Sequence, residues 1–383
     1  MKKTVSFLIL FVFVCTLISP AQRVRDFGIQ PGIMEPGQLN AITDVPGVLV
    51  GQVTIYHPGE ICTGVTVILP HDGNVFQHKV PAAVYVGNGF GKLMGSTQIE
   101  ELGYLESPVV LTNTLNVPKV ADAVLDHILA LPGNERIRSA NPVVGETNDG
   151  YLNDIRGRHV QSEHVIEAID LAKSGPVSEG CVGAGTGTIC FAYKGGIGTS
   201  SRLMSGGLSD YTVGVLVQTN FGGDLKVDGY PVGEYFRNQK KESHYDPSPD
   251  GSCMIVVATD APLDARNLKR LAKRAILGLA RTGGIASNGS GDYVIAFSTA
   301  PEMREHYGSG TVTTGGKTIS NDRITGLFQG VIEATEEAIL NSLFMATEVE
   351  GYKGHKVPLL PKQKVIELLE SSSSIINNRG AEK

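Results

Sequence analysis

DPSPDGSCMIVVATDAPL, residues 246–263, joins a polar, proline-bearing loop to an apolar run. The loop ends at Gly251, and Ser252 opens a stretch up to Thr259 whose composition predicts a buried strand. A Gly-Ser pair at such a step is ordinarily a turn. Because residues 235–251 are charged and poor in apolar periodicity, they are also the best surface boundary in the chain. A cut there would make Ser252 a new N-terminus.

Such a cut would create a nucleophile that needs no histidine. The Ser252 hydroxyl would attack the Gly251 carbonyl, the amide would shift to an ester, and water would release the serine amine. Glycine favours this step because it has no Cβ and tolerates strained backbone geometry. The product carries a hydroxyl beside an α-amine, whose ordinary pKa of about 7.7–8.0 lets it accept a proton near neutral pH. None of the nine histidines lies in a convincing triad context.

Polar residues that could assist this nucleophile occur on both sides of it. Thr219 and Asn220 end an apolar strand, where an amide could donate to an oxyanion. The alternative is an Asn turn before Gly222. Ser290 and Asp292 lie two apart at the start of a predicted strand, so both could face one side of a sheet. The alternative there is a glycine-rich loop with solvated side chains.

A third polar group follows a short apolar run in NPVVGETNDGYLND, residues 141–154. Its carboxylates could hold a substrate ammonium, or the segment could be a loop with helix-capping side chains. The polar residues are Glu146, Asn148, Asp149, Asn153 and Asp154.

Composition and motifs exclude several classes of function. The 383 residues are 41% hydrophobic and 19% charged, with a net charge of −6 and no Lys/Arg run, so nucleic acid is not an expected partner. GAGTGT, residues 183–188, precedes a strand-like segment rather than a helix, so its glycines predict close backbone packing or a pocket wall instead of a phosphate site. No HExxH, CxxC or acidic calcium loop appears, and we predict no metal.

The N-terminus reads as a signal peptide over residues 1–21. Lys2 and Lys3 precede an apolar run over 5–18 and a small-residue cleavage site at 19–21. A permanent anchor is the less favoured alternative, because the run is short for a membrane span and a polar segment follows it. We expect an exported, periplasmic or secreted protein that begins near Gln22 and has no membrane association afterwards.

Four of the five cysteines lie after the predicted signal peptide. They lie among apolar or small residues, which favours free, buried thiols. Sequence alone cannot choose among the three possible pairings of four cysteines. They are Cys62, Cys181, Cys190 and Cys253.

Periodicity predicts mixed strands and helices without regular βαβ alternation, which fits helix layers outside a pair of stacked sheets. A strand or hairpin is predicted at 39–56, and strands are predicted at 63–70, 82–90, 188–196, 211–222, 253–259 and 292–299. Helices are predicted at 118–131, 162–175, 264–281 and 331–346.

Together, six ordered stretches resemble the DmpA/BapA family of L-aminopeptidase/D-Ala-esterase/amidases and β-peptidyl aminopeptidases. The stretches are NAITDVPGVLVGQVT, VVGETNDGYLND, GAGTGTICFAYKGGIGTSSR, LVQTNFG, DGSCMIVVATDAPL and SNGSGDYVIAFST. They span most of the chain after residue 23. The resemblance implies an α+β fold, an αββα four-layer sandwich similar to N-terminal-nucleophile hydrolases but with different connectivity.

The resemblance also implies a set of site residues. Ser252 would be the nucleophile with its own amine as base, supported by Ser290 and Asp292. Asn220 would be the oxyanion donor, and Glu146 would hold the amine of the substrate. Some β-peptidyl members carry Glu at the position of Asp292. Asn148 falls where some members place a tyrosine, and neighbouring Tyr151 is a candidate to replace it.

The resemblance implies self-cleavage into chains 22–251 and 252–383, assembly into a homo-oligomer of cleaved heterodimers, and no metal or organic cofactor. The substrate would be a small peptide, amino-acid amide or ester. The sequence leaves open whether the released residue is an L-α-, D- or β-amino acid. An acyltransferase like ornithine acetyltransferase is an alternative, although those relatives use threonine. An inactive exported binding protein is another.

Overall fold

The computed structural model describes residues 22–239, 251–310 and 316–381, with side chains to residue 372. The predicted signal peptide and residues 240–250 of the predicted surface boundary lie outside this part of the chain. The strands are β1 Leu49–His57, β2 Ile61–Leu69, β3 His78–Gly89, β4 Leu93–Met94, β5 Tyr104–Leu105, β6 Val109–Asn113, β7 Val143–Thr147, β8 Ile189–Cys190, β9 Tyr193–Lys194, β10 Ile197–Leu203, β11 Thr212–Asn220, β12 Ser252–Thr259, β13 Gly291–Ser298 and β14 Glu305–His306. The helices are α1 Ser96–Leu102, α2 Val117–Ala130, α3 Ser162–Asp170, α4 Val232–Gln239, α5 Ala265–Arg281, α6 Thr325–Phe344 and α7 Lys362–Ala381.

Two sheets stack face to face. The first has the order β1-β2-β6-β7-β4, and the second has the order β10-β11-β12-β13-β3-β14, with β5 paired to β3. Side chains of both sheets, such as Leu111 of β6 and Val256 of β12, share one buried cluster between them. Since each central strand is covered on both faces, its sequence is almost continuously apolar.

Helices cover the two outer faces. Helices α2 and α3 pack on the first sheet, where Val124 and Ile169 join Val110 in one cluster. Helices α5 and α6 pack on the second sheet, where Leu271 and Ile339 join a cluster with residues of β11, β12 and β13. These layers confirm the predicted αββα four-layer sandwich.

Helix α5 follows its predicted span closely. Asp264 caps it by accepting the Asn267 N–H at 2.8 Å. Its residues that face the second sheet, such as Leu268 and Leu271, are buried. Gly283, with φ of +95°, follows the helix end.

Helix α6 differs from its prediction, because it begins at Thr325 rather than near residue 331. Its first turns contain Gly326 and Gly330, which hide helical periodicity in the sequence. The helix is buried on nearly all sides, and its Glu337 pairs with the fully buried Arg202 at 2.7 Å. A polar residue at a buried position obscures the apolar stripe from which helices are predicted.

The prediction of one strand over residues 188–196 is wrong. Phe191 and Ala192 have φ of 51° and 67°, so the chain reverses there and β8 pairs with β9 as a short hairpin. The glycine run before it packs backbone against backbone, as predicted. A Cβ on Gly187 would lie 2.1 Å from the carbonyl oxygen of Cys62, and one on Gly185 would lie 2.4 Å from the Ile197 nitrogen.

All four cysteines after the predicted signal peptide are free. Cys62, Cys190 and Cys253 are buried as predicted, whereas Cys181 is half-buried. Within residues 22–239, 251–310 and 316–381, no helix has the length and apolarity to cross a membrane. The same residues contain no cluster of three or more His, Cys, Asp or Glu side chains arranged to hold a metal ion.

Candidate active site

Three neighbouring strands of the second sheet bring polar residues to one edge. β11 ends at Asn220, β12 begins at Ser252 and β13 begins at Gly291, and the register pairs Ser252 with both of the others. They meet because β11 runs antiparallel to β12 whereas β13 runs parallel to it. Backbone pairing therefore fixes which residues surround Ser252.

The N–H of Gly291 contacts both atoms that a Gly-Ser cut would involve. Its nitrogen lies 3.2 Å from Ser252 Oγ and 3.0 Å from the carbonyl oxygen of Gly251. A donor on that carbonyl would stabilise the negative charge that develops when the hydroxyl attacks it. The arrangement is therefore suited to attack of Ser252 on the bond that precedes it.

Packing requires glycine at position 251. A Cβ there would lie 2.1 Å from the carbonyl oxygen of Asn220 and 2.6 Å from Phe221 Cα. Both neighbours are backbone atoms, so no side-chain rotation could relieve the contact. The absence of a side chain at Gly251 thus lets the peptide bond before Ser252 lie directly against the end of β11.

The side chain of Asn220 is held in one orientation. Its Oδ1 accepts the Ile189 N–H at 3.0 Å. The opposite end of the amide is then Nδ2, which can only donate. Among the described residues Nδ2 has no acceptor, and Asn220 is half-buried at the edge next to Ser252. An oriented amide donor at this edge can stabilise an oxyanion.

Ser290 and Asp292 lie at the start of β13, and both are buried. Neither carboxylate oxygen of Asp292 has a hydrogen-bond partner among the described residues. Burial raises the pKa of Asp292 to about 6, while the nearby Ser290 hydroxyl and Cys253 N–H act to lower it. A buried carboxylate with free acceptor capacity is available to organise polar groups beside the nucleophile.

Glu146 projects from β7 of the first sheet and is held on both oxygens. Its Oε1 accepts the Lys92 N–H at 2.9 Å, and its Oε2 accepts the Thr114 hydroxyl. The Lys92 ammonium lies 3.8 Å from Oε1. Burial raises the pKa of Glu146, and these three groups act to lower it. The result is a fixed, buried carboxylate suited to binding a cation.

Gly91 lies between this carboxylate and the start of β13. A Cβ on Gly91 would lie 3.3 Å from Glu146 Oε1 and 3.2 Å from Gly291 Cα. A Cβ on Gly291 would in turn lie 3.1 Å from Ser252 Oγ. Glu146 and Ser252 therefore border the same narrow glycine-lined space, although they belong to different sheets.

Comparison with known proteins identifies the family of this chain. A match to peptidase family S58 spans residues 40–357. The chain belongs to that family. It is 42% identical over 371 residues to the β-peptidyl aminopeptidase BapA of Sphingosinicella microcystinivorans, covering 91% of this chain and 92% of the relative. The β-peptidyl aminopeptidase BapA of Sphingosinicella xenopeptidilytica is 39% identical over 377 residues, covering 91% of both chains.

Solved structures of similar proteins share the fold. A Burkholderia sp. β-aminopeptidase superposes with a TM-score of 0.84 at 43% identity, covering 91% of this chain and 99% of that one. The L-aminopeptidase D-Ala-esterase/amidase of Ochrobactrum anthropi, described as a variant of the Ntn hydrolase fold, superposes with a TM-score of 0.84 at 35% identity, covering 92% and 99%. The resemblance found in the sequence is thus confirmed, and this S58 member is an aminopeptidase.

Asn148 and Tyr151 are placed differently from the other predicted site residues. Asn148 is exposed and closes a turn by accepting the Gly150 N–H at 2.9 Å. Tyr151 is 45% exposed and stacks on His355 with ring centroids 4.5 Å apart. Among the described residues neither side chain has a hydrogen bond or ring contact with Ser252, Glu146 or Asn220, and their substrate-binding roles stay predictions.

The other carboxylate groups of the Glu146 segment have structural partners. Asp149 is buried and accepts hydrogen bonds from Thr63 at 2.6 Å and Asn153 at 3.0 Å. Asp154 lies 3.3 Å from His159 Nε2. Glu146 differs from them in position, because it borders the glycine-lined space next to Ser252.

Sequence reasoning missed the groups that orient the site residues of this S58 member. Gly291, Ile189 and Lys92 act through backbone N–H groups, which leave no trace in side-chain chemistry. Thr114 follows the apolar strand β6 and carries its hydroxyl to Glu146. Since β6 itself was not predicted, no signal in the sequence pointed to Thr114 either.

Proposed function

We propose that this protein is an exported, self-processing serine aminopeptidase whose nucleophile is Ser252. The observation that carries the proposal is the Gly291 N–H shared by Ser252 Oγ and the carbonyl oxygen of Gly251. The same strand edge presents the oriented Asn220 amide, and Glu146 lies just beyond Gly91. The proposed nucleophile, oxyanion donor and amine-binding carboxylate therefore lie close enough to act at one site.

The proposed cycle has two steps. The substrate ammonium binds Glu146, and the Ser252 hydroxyl attacks the first acyl carbonyl while its proton passes to the free α-amine of Ser252. Asn220 Nδ2 stabilises the oxyanion, the leaving amine takes the proton, and an ester to Ser252 remains. Water then attacks the ester and releases the N-terminal residue. Ser290 and Asp292 hold the nucleophile in position.

The fold supports chains that stay together after cleavage at 251. β12 would begin the small chain 252–383, and its whole length pairs with β11 of the large chain 22–251. On its other side β12 pairs with β13. Separation would break a central strand pair of the second sheet, so we propose a stable cleaved heterodimer that assembles into a homo-oligomer. Removal of residues 1–21 would precede release into the periplasm or medium.

For the substrate, we propose peptides, amides or esters with a free N-terminal amine, including β-amino acids. Two relatives that are 42% and 39% identical to this chain carry the name β-peptidyl aminopeptidase. A β-residue is longer by one methylene, so its ammonium lies farther from the scissile carbonyl. The family resemblance implies Glu at the position of Asp292 in some β-peptidyl members. Because the Asp292 side chain is shorter by one methylene, we propose that its carboxylate reaches less far toward Ser252.

The intact mass of the purified wild-type protein under denaturing conditions tests the proposal. We expect two chains, one ending at Gly251 and one starting at Ser252, together with hydrolysis of β-homoalanine or alanine p-nitroanilide. A single uncut chain without activity would instead favour the binding-protein alternative. Turnover that depended on an added acceptor amine would favour the acyltransferase.

Glu146→Gln should raise KM far more than it lowers kcat, because it removes the charge that binds the substrate ammonium. A charge-assisted hydrogen bond is worth roughly 1.5–3 kcal/mol, which corresponds to about 10–100-fold in KM. Burial raises the pKa of Glu146, so the wild-type KM should rise as pH falls through this raised value and the carboxylate is protonated.

In Glu146→Gln the KM should no longer rise at low pH, because glutamine has no carboxylate to protonate. Asp154→Asn is a matched control, because Asp154 is a carboxylate of the same segment that lies near His159 instead. An unchanged KM in Glu146→Gln would remove Glu146 from the binding site.

A further inference from the structure

Lys194 is a fully buried cation that the proposed cycle does not use. Its Nζ donates to the carbonyl oxygens of Gly185 at 3.2 Å, Thr188 at 2.9 Å and Gly195 at 2.8 Å. An ammonium has three donors, so backbone carbonyls satisfy it completely. Among the described residues no carboxylate lies within ion-pair distance of it.

A buried ammonium without an opposite charge is expensive to desolvate, and an apolar side chain of similar length would fill the same space at lower cost. The three carbonyl bonds hold the segment 185–195 in one conformation. One of these bonds has a direct connection to the candidate active site.

The carbonyl of Thr188 and the N–H of Ile189 belong to the same planar peptide group. Lys194 Nζ binds the oxygen of this group at 2.9 Å, and the N–H on its opposite side donates to Asn220 Oδ1 at 3.0 Å. Fixing the oxygen therefore fixes the direction of the N–H. A cation on the carbonyl also polarises the peptide, which strengthens the N–H as a donor.

We propose that Lys194 is a positioning residue for the aminopeptidase reaction. Through the Thr188–Ile189 peptide it orients and polarises the Asn220 amide, so that Nδ2 is held toward the developing oxyanion. The chain of groups runs from the ammonium to the peptide, then to the amide, then to the substrate oxygen. This inference rests on the proposed function, because it requires Asn220 to be the oxyanion donor.

The rest of the β8–β9 hairpin supports this role. The Phe191 N–H donates to the carbonyl oxygen of Phe221 at 2.8 Å, and the two rings lie 5.0 Å apart. The Lys194 N–H donates to the carbonyl oxygen of Pro358 at 2.9 Å. The hairpin is thus attached to the residue after Asn220 on one side and to the C-terminal segment on the other.

Lys194→Met in the mature enzyme tests the inference. We expect kcat to fall about 10–100-fold with little change in KM, since a displacement of ~1 Å of a positioned group can cost ~10²-fold. The same substitution in an Asn220→Ala background should have a much smaller effect on kcat, because its target is gone. Lys119→Met is the matched control, because Lys119 also donates to a carbonyl, that of Arg158 at 3.0 Å, but has no link to Asn220.

Each outcome separates the inference from the function on which it rests. If Lys194→Met lowers kcat equally in both backgrounds, or leaves it unchanged, Lys194 has only a structural role. If Asn220→Ala alone leaves kcat unchanged, the oxyanion assignment itself fails. If Lys194→Met does not fold, Ile189→Pro is the second variant, because proline lacks the N–H that donates to Asn220 Oδ1. An unchanged kcat in Ile189→Pro would overturn the proposal.

Discussion

Ser252→Ala should leave the chain uncut at residue 251 and reduce peptidase activity to background. The substitution removes the only hydroxyl proposed to attack both the Gly251 carbonyl and the substrate. Loss of a catalytic serine in a hydrolase lowers kcat by about 10⁶-fold. Intact mass under denaturing conditions and p-nitroanilide hydrolysis measure the two effects on one sample.

Unfolding would not explain such a loss. Ser252 Oγ accepts one hydrogen bond, from the Gly291 N–H. In Ser252→Ala this N–H would still donate to the carbonyl oxygen of Gly251. Removing one such bond costs about 0.5–1.5 kcal/mol. Ser209→Ala is the matched control, because Ser209 is an exposed serine near the other end of β11. A Ser252→Ala protein that still matures and turns over substrate would show that the nucleophile lies elsewhere.

The layers of the fold were predictable, but the pairing of strands was not. Val256 of β12 faces the other sheet while its neighbour Ile255 faces the helices, yet the run 253–258 is apolar throughout. No alternation in the sequence shows which face is which. The short strands β6 and β7 escaped prediction because each has only two or three apolar residues, and so short a run looks the same in a strand, a helix or a loop.

Motifs in the sequence supplied candidate site residues, whose catalytic roles stay predictions. Ser252 and Asn220 were selected because a hydroxyl and an amide suit their proposed chemistry, whereas the family resemblance selected Glu146 among the polar residues of its segment. Their meeting depends on the register of β11 with β12 and on the approach of two sheets through Gly91, which are long-range features. The Gly291 and Ile189 N–H groups could not be inferred, since every residue except proline carries one.

Asn220→Ala should lower kcat about 10²–10³-fold, because loss of one oxyanion donor costs roughly 2.7–4 kcal/mol of transition-state stabilisation. KM should change little, since the donor acts on charge that develops after binding. Steady-state kinetics with a saturating p-nitroanilide substrate measure both constants.

Asn220→Asp tests the loss of the Nδ2 donor while a side chain of the same shape is retained. The aspartate retains an oxygen that can accept the Ile189 N–H, which now lies 3.0 Å from Oδ1, but it replaces Nδ2 with an acceptor. Its kcat should therefore fall at least as far as that of Asn220→Ala, because a carboxylate repels the oxyanion. If Asn220→Asp retained wild-type kcat, the amide would not be the donor.

Substitution of Asn220 should affect self-cleavage at residue 251 much less than it affects hydrolysis of substrate. The carbonyl of Gly251 already receives the Gly291 N–H at 3.0 Å, so cleavage of that bond has a backbone donor that no side-chain substitution removes. Both Asn220 variants should therefore appear as two chains by intact mass while their kcat is low. Uncut Asn220 variants would mean instead that one donor serves both reactions, and the low activity would then reflect a nucleophile that was never released.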